Sequence, residues 1–391
     1  MSEAWSKEDE LGIIDMIDKW VENDVRPIAK EYDQEDKYPH ALAEQMKELG
    51  LFGATIGQEF GGLGLPASIY AKIVMKVASA WMAPSGIFNS HLIQASAIER
   101  CGTQAQKERF LPRMATGELR GGVALTEPNA GTDLQAIRTT AVKDGDDYII
   151  NGAKTWITNS LNGNSLAVLV KTDLDAVPAH TGTSMFIVET KDENGEFKAG
   201  ISVSKMKKLG YRSIDTCEVV FENVRVPAAN LVGEKEGSGF KHAIGGLELG
   251  RINVAARGAG IARGATELAV RYAQERETFG KAICQHQAIQ LKLGEMATQV
   301  EAARLLIEQA AAKYDANERC DMEAGMAKYF GSEAGVFCAN EAMRIFGGYS
   351  YSVEYDIERY YRDAMLMCIG EGTNEMQRII IAKQIIDKNK I

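Results

Sequence analysis

The chain has little that would tie it to a metal, a disulfide framework, a membrane or a nucleic acid. Its six cysteines, at 101, 217, 284, 320, 338 and 368, form no Cys-x-x-Cys pair, and its five histidines gather into no cluster beside them. That scatter argues against zinc and disulfide scaffolds and reads as reduced thiols in a cytoplasmic protein. No stretch approaches the roughly 18 apolar residues that span a bilayer. Met1 to Trp20 mixes acids with apolar residues, without a basic region followed by an apolar block, so no signal peptide is expected. A net charge of -10 leaves no broad basic field to attract phosphates, which excludes a nucleic-acid binder. The common nucleotide signatures are missing too: no Gly-x-Gly-x-x-Gly follows a strand, and there is no Walker loop. Gly258-Ala259-Gly260, the nearest approach, sits inside a helical pattern and reads as close helix packing.

What remains is an ordinary globular composition. With 391 residues, 45% hydrophobic and 25% charged, the chain can bury a large core divided among two or three domains. From Ser6 to about Arg120 the pattern is helical, opening with a capping box at Ser6 and Asp9 and an apolar stripe at Ile14, Ile17 and Val21. Pro27, Pro39 and the Gly-rich Glu59–Gly64 segment punctuate it. From about Gly121 to Gly233 short β-branched runs replace the helices. Asp144-Gly145 and Asn151-Gly152 each carry a dipeptide that favours a tight hairpin, and Ser184–Glu189 and Cys217–Val226 add strands. After Gly239 the helices return. Ile289, Leu293, Met296, Val300, Ala303, Ile307, Ala310 and Tyr314 fall on one face of a long helix and read as core. The expected fold class is α+β: helical residues 1–120, a β domain at 121–233 and a helical bundle at 234–391.

Four polar or glycine-rich segments interrupt this patterning. Ala124-Leu125-Thr126-Glu127-Pro128 through Asp133 offers hydroxyls and turn amides to a ring edge or a phosphate. Trp156-Ile157-Thr158-Asn159 offers an indole to an aromatic cofactor. Arg276 to Gly280, followed by His286-Gln287, offers a cation suited to a pyrophosphate. Each reads equally well as a turn, a core tryptophan or a helix-end ion pair. The fourth is Ile369 to Gln377, which sets Glu371 between Gly370 and Gly372 ahead of a hydrophobic helix. A glutamate flanked by glycines has little cover and can approach a bound molecule, as a catalytic base must. The alternative is a solvated turn with Thr373 as helix cap.

Taken together, in order and spacing, these segments and Phe346-Gly347-Gly348 resemble the acyl-CoA dehydrogenase family of flavoproteins, and the resemblance covers almost the whole chain. It implies an all-α N-terminal domain, a β-barrel middle domain and a C-terminal four-helix domain, assembled as a homotetramer built from two dimers. It implies FAD, with Leu125, Thr126, Thr132, Trp156 and Thr158 around the flavin ring. Arg276, Phe279 and Gln287 would serve the neighbouring subunit's FAD, with Gly347, Gly348, Thr373 and Glu375 completing the site. Arg344 stands where relatives often have glutamine, which leaves it a phosphate or adenosine contact.

The resemblance also implies the reaction. Glu371 would remove the α-proton of an acyl-CoA thioester while the β-hydrogen leaves as hydride to the flavin N5, giving a trans-2-enoyl-CoA, and an electron-transferring flavoprotein would take the electrons from the reduced flavin, as in β-oxidation. Polarising the thioester oxygen falls to hydrogen-bond donors, the Glu371 amide among them. Some relatives place the base in the segment Leu247-Glu248-Leu249-Gly250-Arg251; here that position is Gly250, which leaves Glu371 unopposed. Glu248 and Arg251 match positions near the thioester and the CoA. Many straight-chain relatives carry tyrosine before the catalytic glutamate, and this chain carries Gly370. Gly370 and Gly250 together remove two side chains near the reacting carbons, so the expected acyl group is branched, substituted or ring-bearing, with Gly372 also placed beside the substrate. Phe88, His91 and Met367 are the side chains that would otherwise fill the space. A glutaryl-type enzyme would carry an arginine near Ala83, and none is present there, leaving His91 as the group to meet a distal carboxylate. A short or medium straight-chain dehydrogenase, an acyl-CoA oxidase and a non-catalytic acyl-CoA scaffold are the alternatives.

Overall fold

The computed structural model describes residues 5–245 and 247–390. Residues 1–4, 246 and 391 lie outside the description, and with them the start of the N-terminal segment read for a leader. Six helices come first: α1 (Lys7–Trp20), α2 (Arg26–Glu35), α3 (His40–Glu48), α4 (Ala67–Ala80), α5 (Met82–Cys101) and α6 (Gln104–Ala115). The capping box forms as the sequence predicts, with Ser6 Oγ accepting from the Asp9 amide while Asp9 accepts from the Ser6 amide. Helices α4 and α5 are buried along most of their length and lie in the core, with Ile73, Val74, Val77, Ala80, Ile87 and Phe88 among their buried apolar residues.

Seven strands follow: β1 (Gly121–Ala124), β2 (Thr140–Asp144), β3 (Asp147–Thr158), β4 (Ser165–Lys171), β5 (Thr183–Glu189), β6 (Ile201–Lys205) and β7 (Thr216–Pro227). They make one curled sheet in the order β1-β4-β2-β3-β7-β6, with β5 on the other edge of β4. Strand β4 is buried along most of its length, as a strand with neighbours on both edges is. The Asp144-Gly145 hairpin is present: Asp144 pairs with Asp147 across a two-residue loop, and Gly145 takes φ +64°. Asn151-Gly152 is different from the expectation. It lies inside β3, where Gly152 at φ +147° marks a bulge against β7 between Ile150 and Gly152. A Cβ there would stand 2.4 Å from Thr139 Oγ1, so the glycine serves a close crossing and not a turn.

The remaining helices are α7 (Gly239–Ile244), α8 (Leu247–Glu275), α9 (Gln287–Asp315), α10 (Asp321–Phe346), α11 (Ile357–Ile369) and α12 (Asn374–Lys388), with a two-stranded hairpin, β8 (Glu277–Thr278) and β9 (Lys281–Ala282), between α8 and α9. The α9 stripe packs as predicted, with Met296, Ala303, Ile307 and Ala310 buried. Helix α8 is the axis of the molecule, packed against α4, α9, α10 and α11. Its small residues permit this. A Cβ on Gly258 would stand 2.5 Å from the Gly331 carbonyl oxygen of α10, one on Gly260 would stand 2.6 Å from the Met75 carbonyl oxygen of α4, and one on Gly264 would stand 2.2 Å from the Ser79 carbonyl oxygen. These contacts are to backbone, which cannot swing aside. Gly258→Ala is therefore expected to destabilise the protein by about 1–3 kcal/mol through overpacking, read as a lower urea midpoint at unchanged slope.

Candidate active site

Glu371 sits in the turn between α11 and α12 with φ +55°, and Gly372 follows at +88°. The left-handed conformation costs Gly372 nothing, but at Glu371 it is strain that the surroundings must hold. Thr373 caps α12, its Oγ1 accepting from the Met376 amide. Buried Asn374 pins the turn from beneath: its Oδ1 accepts from Lys328 Nζ at 2.8 Å and Ser332 Oγ at 3.0 Å, and its Nδ2 donates to Glu333. Burial pushes Lys328 down to about 8. Gln377 donates back to the Gly372 carbonyl. The Thr373 cap is legible in the sequence, whereas the Lys328 and Ser332 contacts are not, because those residues lie some forty positions away on α10.

The Glu371 carboxylate points into the protein. Its Oε1 accepts from Arg257 Nη2 at 2.6 Å and from Asn89 Nδ2 at 3.2 Å. Asn253 donates to Tyr70 Oη at 2.9 Å, and Tyr70 donates to Asn89 at 3.4 Å, so one chain of donors runs from α8 through α4 and α5 to Glu371. Oε2 is buried with no protein partner and faces Gly250, where a Cβ would stand only 3.0 Å away. A narrow cleft beside it is lined by Tyr70, Asn89, Leu92, Ile93, Leu249 and Gly250. Arg257, which sequence reasoning missed, is fully buried, with Nε unpartnered and Nη1 3.4 Å from Tyr211 Oη.

Other expected site residues fall elsewhere. His91 faces away from Glu371: its Nε2 lies 3.0 Å from the Met114 carbonyl and its ring meets Phe52 edge-on, so it packs the N-terminal core. Burial drives it down to about 4, and it has no charge to offer a carboxylate at neutral pH. Phe88 backs Tyr70 edge-on from within the core. Gly370 lies at the end of α11, where its Cβ would meet only Leu366. Arg251 is buried, its Nη1 3.8 Å from Asp321 and its Nε without a partner. Glu248, one turn earlier, is pushed up by burial and by the nearby Asp321.

A second group of expected residues gathers on the β domain. Trp156 lies at an irregularity of β3 with φ +63° and is 58% exposed. Thr158 follows two residues on, at the end of β3. The Leu125–Thr132 segment is held opposite by buried Glu127, whose carboxylate accepts from the Arg138 and Thr139 amides and from Lys154 Nζ at 2.8 Å. Lys154 also donates to the Leu125 carbonyl, and the Thr155 amide donates to that of Thr126. Thr132 is exposed in this loop. An indole left open at a strained position, beside a loop braced by a buried ion pair, fits a planar ring system that covers it.

A third group lines a cleft of about 680 Å³ away from Glu371: Arg276, Phe279 and His286 on one side, Phe346, Gly347 and Gly348 on the other. The β8–β9 loop, Phe279-Gly280, takes positive φ at both positions, the pattern of a two-residue hairpin turn, and leaves Phe279 97% exposed. Arg276 lies over the Tyr349 ring. Gln287 begins α9 nearby, and Glu375 lies exposed in the first turn of α12. Arg344 is not among the lining residues; it pairs with Glu341 at 3.1 Å and is otherwise exposed. A cation, exposed aromatics and bare glycine backbone suit the phosphates and adenine of a dinucleotide.

A helical, β and helical fold with an open tryptophan, a dinucleotide-sized cleft and an inward-facing carboxylate defines a flavoprotein oxidoreductase. The comparisons identify which: the N-terminal, middle and C-terminal domains of acyl-CoA dehydrogenase match residues 7–118, 122–224 and 237–386, and the chain belongs to the acyl-CoA dehydrogenase family. It is 39% identical to a 3-(aryl)acrylate reductase of Clostridium sporogenes over 94% of this chain and 96% of the relative. It is 36% identical to a (2S)-methylsuccinyl-CoA dehydrogenase of Cereibacter sphaeroides over 97% of this chain and 70% of the relative. The solved structure of butyryl-CoA dehydrogenase from Megasphaera elsdenii superimposes with a TM-score of 0.92 at 35% identity, covering 99% of this chain and 100% of that one. The protein is thus an FAD flavoprotein with acyl-CoA dehydrogenase activity. Among the described residues no helix is long and apolar enough to cross a membrane.

The brace behind the Leu125–Thr132 loop is testable. Burial lowers Lys154 to about 8 even beside Glu127, while Glu127, which burial alone would raise, is held low by Lys154. Glu127→Gln leaves a buried ammonium unpaired and is expected to cost about 3–5 kcal/mol at neutral pH. The folded protein holds Lys154 below its unfolded value of 10.5, so it sheds that proton first. Without Glu127, whose attraction raises it, Lys154 of the variant loses its proton below the value of about 8 it holds in the wild type, so the destabilisation relative to wild type should shrink as pH rises toward about 8 and level off above it, measured by urea unfolding of both proteins at each pH.

Proposed function

We propose that the protein oxidises an acyl-CoA thioester to its trans-2-enoyl-CoA, with Glu371 taking the α-proton. The carrying observation is Glu371 Oε2: a buried carboxylate oxygen without a protein partner, facing Gly250, on which a Cβ would stand 3.0 Å away. Bound FAD supplies the hydride acceptor, which no amino-acid side chain provides. The surrounding residues orient and bind. Asn89 fixes the carboxylate at Oε1 and leaves Oε2 to meet the α-carbon. The Glu371 amide, raised on its left-handed turn, is the donor for the thioester oxygen. Arg251, with Nε unpartnered, and Glu248 form the binding group for the CoA portion.

On this reading Leu125, Thr126, Thr132, Trp156 and Thr158 receive the flavin ring. Arg276, Phe279 and Gln287 reach the FAD of a neighbouring subunit in a homotetramer, with Arg344, Gly347, Gly348, Thr373 and Glu375 completing that site. The exposure of Phe279 at a hairpin tip, and of Leu291 and Leu305 on α9, supports the assembly. Electrons then pass to an electron-transferring flavoprotein. Six unpaired cysteines suit a reducing cytoplasm. The acyl group we assign is substituted, branched or ring-bearing, since Gly250 brings no side chain to the Glu371 carboxylate it faces. The names of the aryl-acrylate and methylsuccinyl-CoA relatives support that class.

Anaerobic titration of the yellow holoenzyme with straight, branched, dicarboxylic and aromatic thioesters tests the reading. A substituted thioester should bleach the flavin, and turnover in air should yield no peroxide; an equimolar peroxide yield would identify an oxidase instead. Glu371→Gln should retain FAD absorbance and slow bleaching by at least about 10²–10⁴-fold, the worth of a positioned base. Normal bleaching by that variant would remove Glu371 from the mechanism.

A further inference from the structure

The Arg257–Glu371 pair poses a chemical problem for a base. A carboxylate bound to a guanidinium at 2.6 Å loses that attraction when it takes a proton, and the buried arginine is left uncompensated. Among the described residues Glu371 is the one carboxylate paired with Arg257: its further contact is the Tyr211 hydroxyl at 3.4 Å, itself driven up to about 12 by burial, and Tyr70 beyond it is neutral. Arg257 Nε is buried and unpartnered, and so is Asn253 Oδ1 one turn away. A guanidinium offers its donors in a planar fork, and here one end of the fork is unused.

We propose that Arg257 is a carboxylate anchor, and that the preferred substrate is the CoA monothioester of a short dicarboxylic acid. This rests on the dehydrogenase reading and narrows its substrate class. The substrate's free carboxylate takes the place of Glu371 on Arg257, which keeps the buried cation paired and releases the base toward the α-carbon. Arg257 lies two turns along α8 from Gly250, and a helical side chain reaches back toward the helix N-terminus. Both therefore meet at Glu371, Gly250 by its open face and Arg257 by its guanidinium. The fold brings Tyr211 from the β6–β7 connection to close the far side, where its hydroxyl occupies the place a Cβ on Gly86 would take. Arg257 is a substrate-binding and positioning residue in this scheme, and a neutral acyl group must leave it paired to the base.

The test compares glutaryl-CoA and methylsuccinyl-CoA with butyryl-CoA and 3-phenylpropionyl-CoA on the holoenzyme. Two readouts are taken: the rate of anaerobic flavin bleaching, and the Kd of the corresponding enoyl-CoA products by calorimetry. Wild-type protein should favour the carboxylate-bearing thioesters in both. In Arg257→Gln that preference should fall by about 10²-fold, the scale of losing one partner of a buried charged contact, while Arg257→Lys retains part of it. Bleaching by butyryl-CoA or 3-phenylpropionyl-CoA in preference to both dicarboxylic thioesters overturns the proposal and leaves the dehydrogenase reading intact. So does a preference that Arg257→Gln does not change. If Arg257→Gln fails to fold, the wild-type preference and the lysine variant decide. Bleaching by no thioester overturns the dehydrogenase reading itself.

Discussion

Everything at the active site depends on how closely α8 lies against its neighbours. Gly258, Gly260 and Gly264 let it press onto the backbones of α10 and α4 at distances a methyl group would forbid. That contact sets the depth of the helix, and so the depth of the side chains it carries. Gly250, Asn253 and Arg257 come from the turns just before the glycines; Tyr272 and Arg276 come from the end beyond them. Displacing the helix outward by the width of a methyl group would open the Glu371–Arg257 contact and shift the Arg276 cleft at once. Packing and chemistry are in this sense one constraint, with the first imposed by dispersion and excluded volume and the second by charge.

The turn that holds Glu371 obeys the same logic from the other side. Its one strained residue, Glu371 at φ +55°, would relax if the turn were free, and Asn374, Lys328 and Ser332 hold the turn from below. A buried lysine is an expensive way to hold a loop, and its lowered affinity for a proton records that cost. What it provides is a donor that meets both Asn374 and the Cys368 carbonyl at the end of α11. The carboxylate is thereby aimed by groups that never touch it, while the groups that do touch it, Arg257 and Asn89, come from the helices on which an acyl chain would lie.

Much of this was legible in the sequence where the signal is local. The capping box, the Asp144-Gly145 hairpin, the α9 stripe and the close packing at Gly258-Ala259-Gly260 each declare themselves within a few residues, and each is found. The reading went astray where a local signal had a distant cause. Asn151-Gly152 has the composition of a turn, but the crossing of Thr139 makes it a bulge. His91 and Asn89 are neighbours on α5, and only their angular positions on the helix decide that asparagine faces Glu371 while histidine faces Phe52. The Arg257–Glu371 pair spans 114 residues, and the arginine sits in a run of small residues that reads as pure packing.

That last case shows why specificity is harder to read than reaction class. The proposed base is marked by Gly372, whose φ of +88° favours glycine, a local demand that leaves a local trace. The groups that select the acyl chain answer only to the shape and charge of a space assembled from α4, α5, α8 and the β6–β7 connection. No short segment contains that space. Its electrostatics follow from burial: a guanidinium so enclosed needs an anion, and the anion it has is the carboxylate proposed as the base. The reaction and the pairing of Arg257 are therefore coupled, and an acyl chain that supplies its own anion resolves the coupling where a hydrocarbon chain does not.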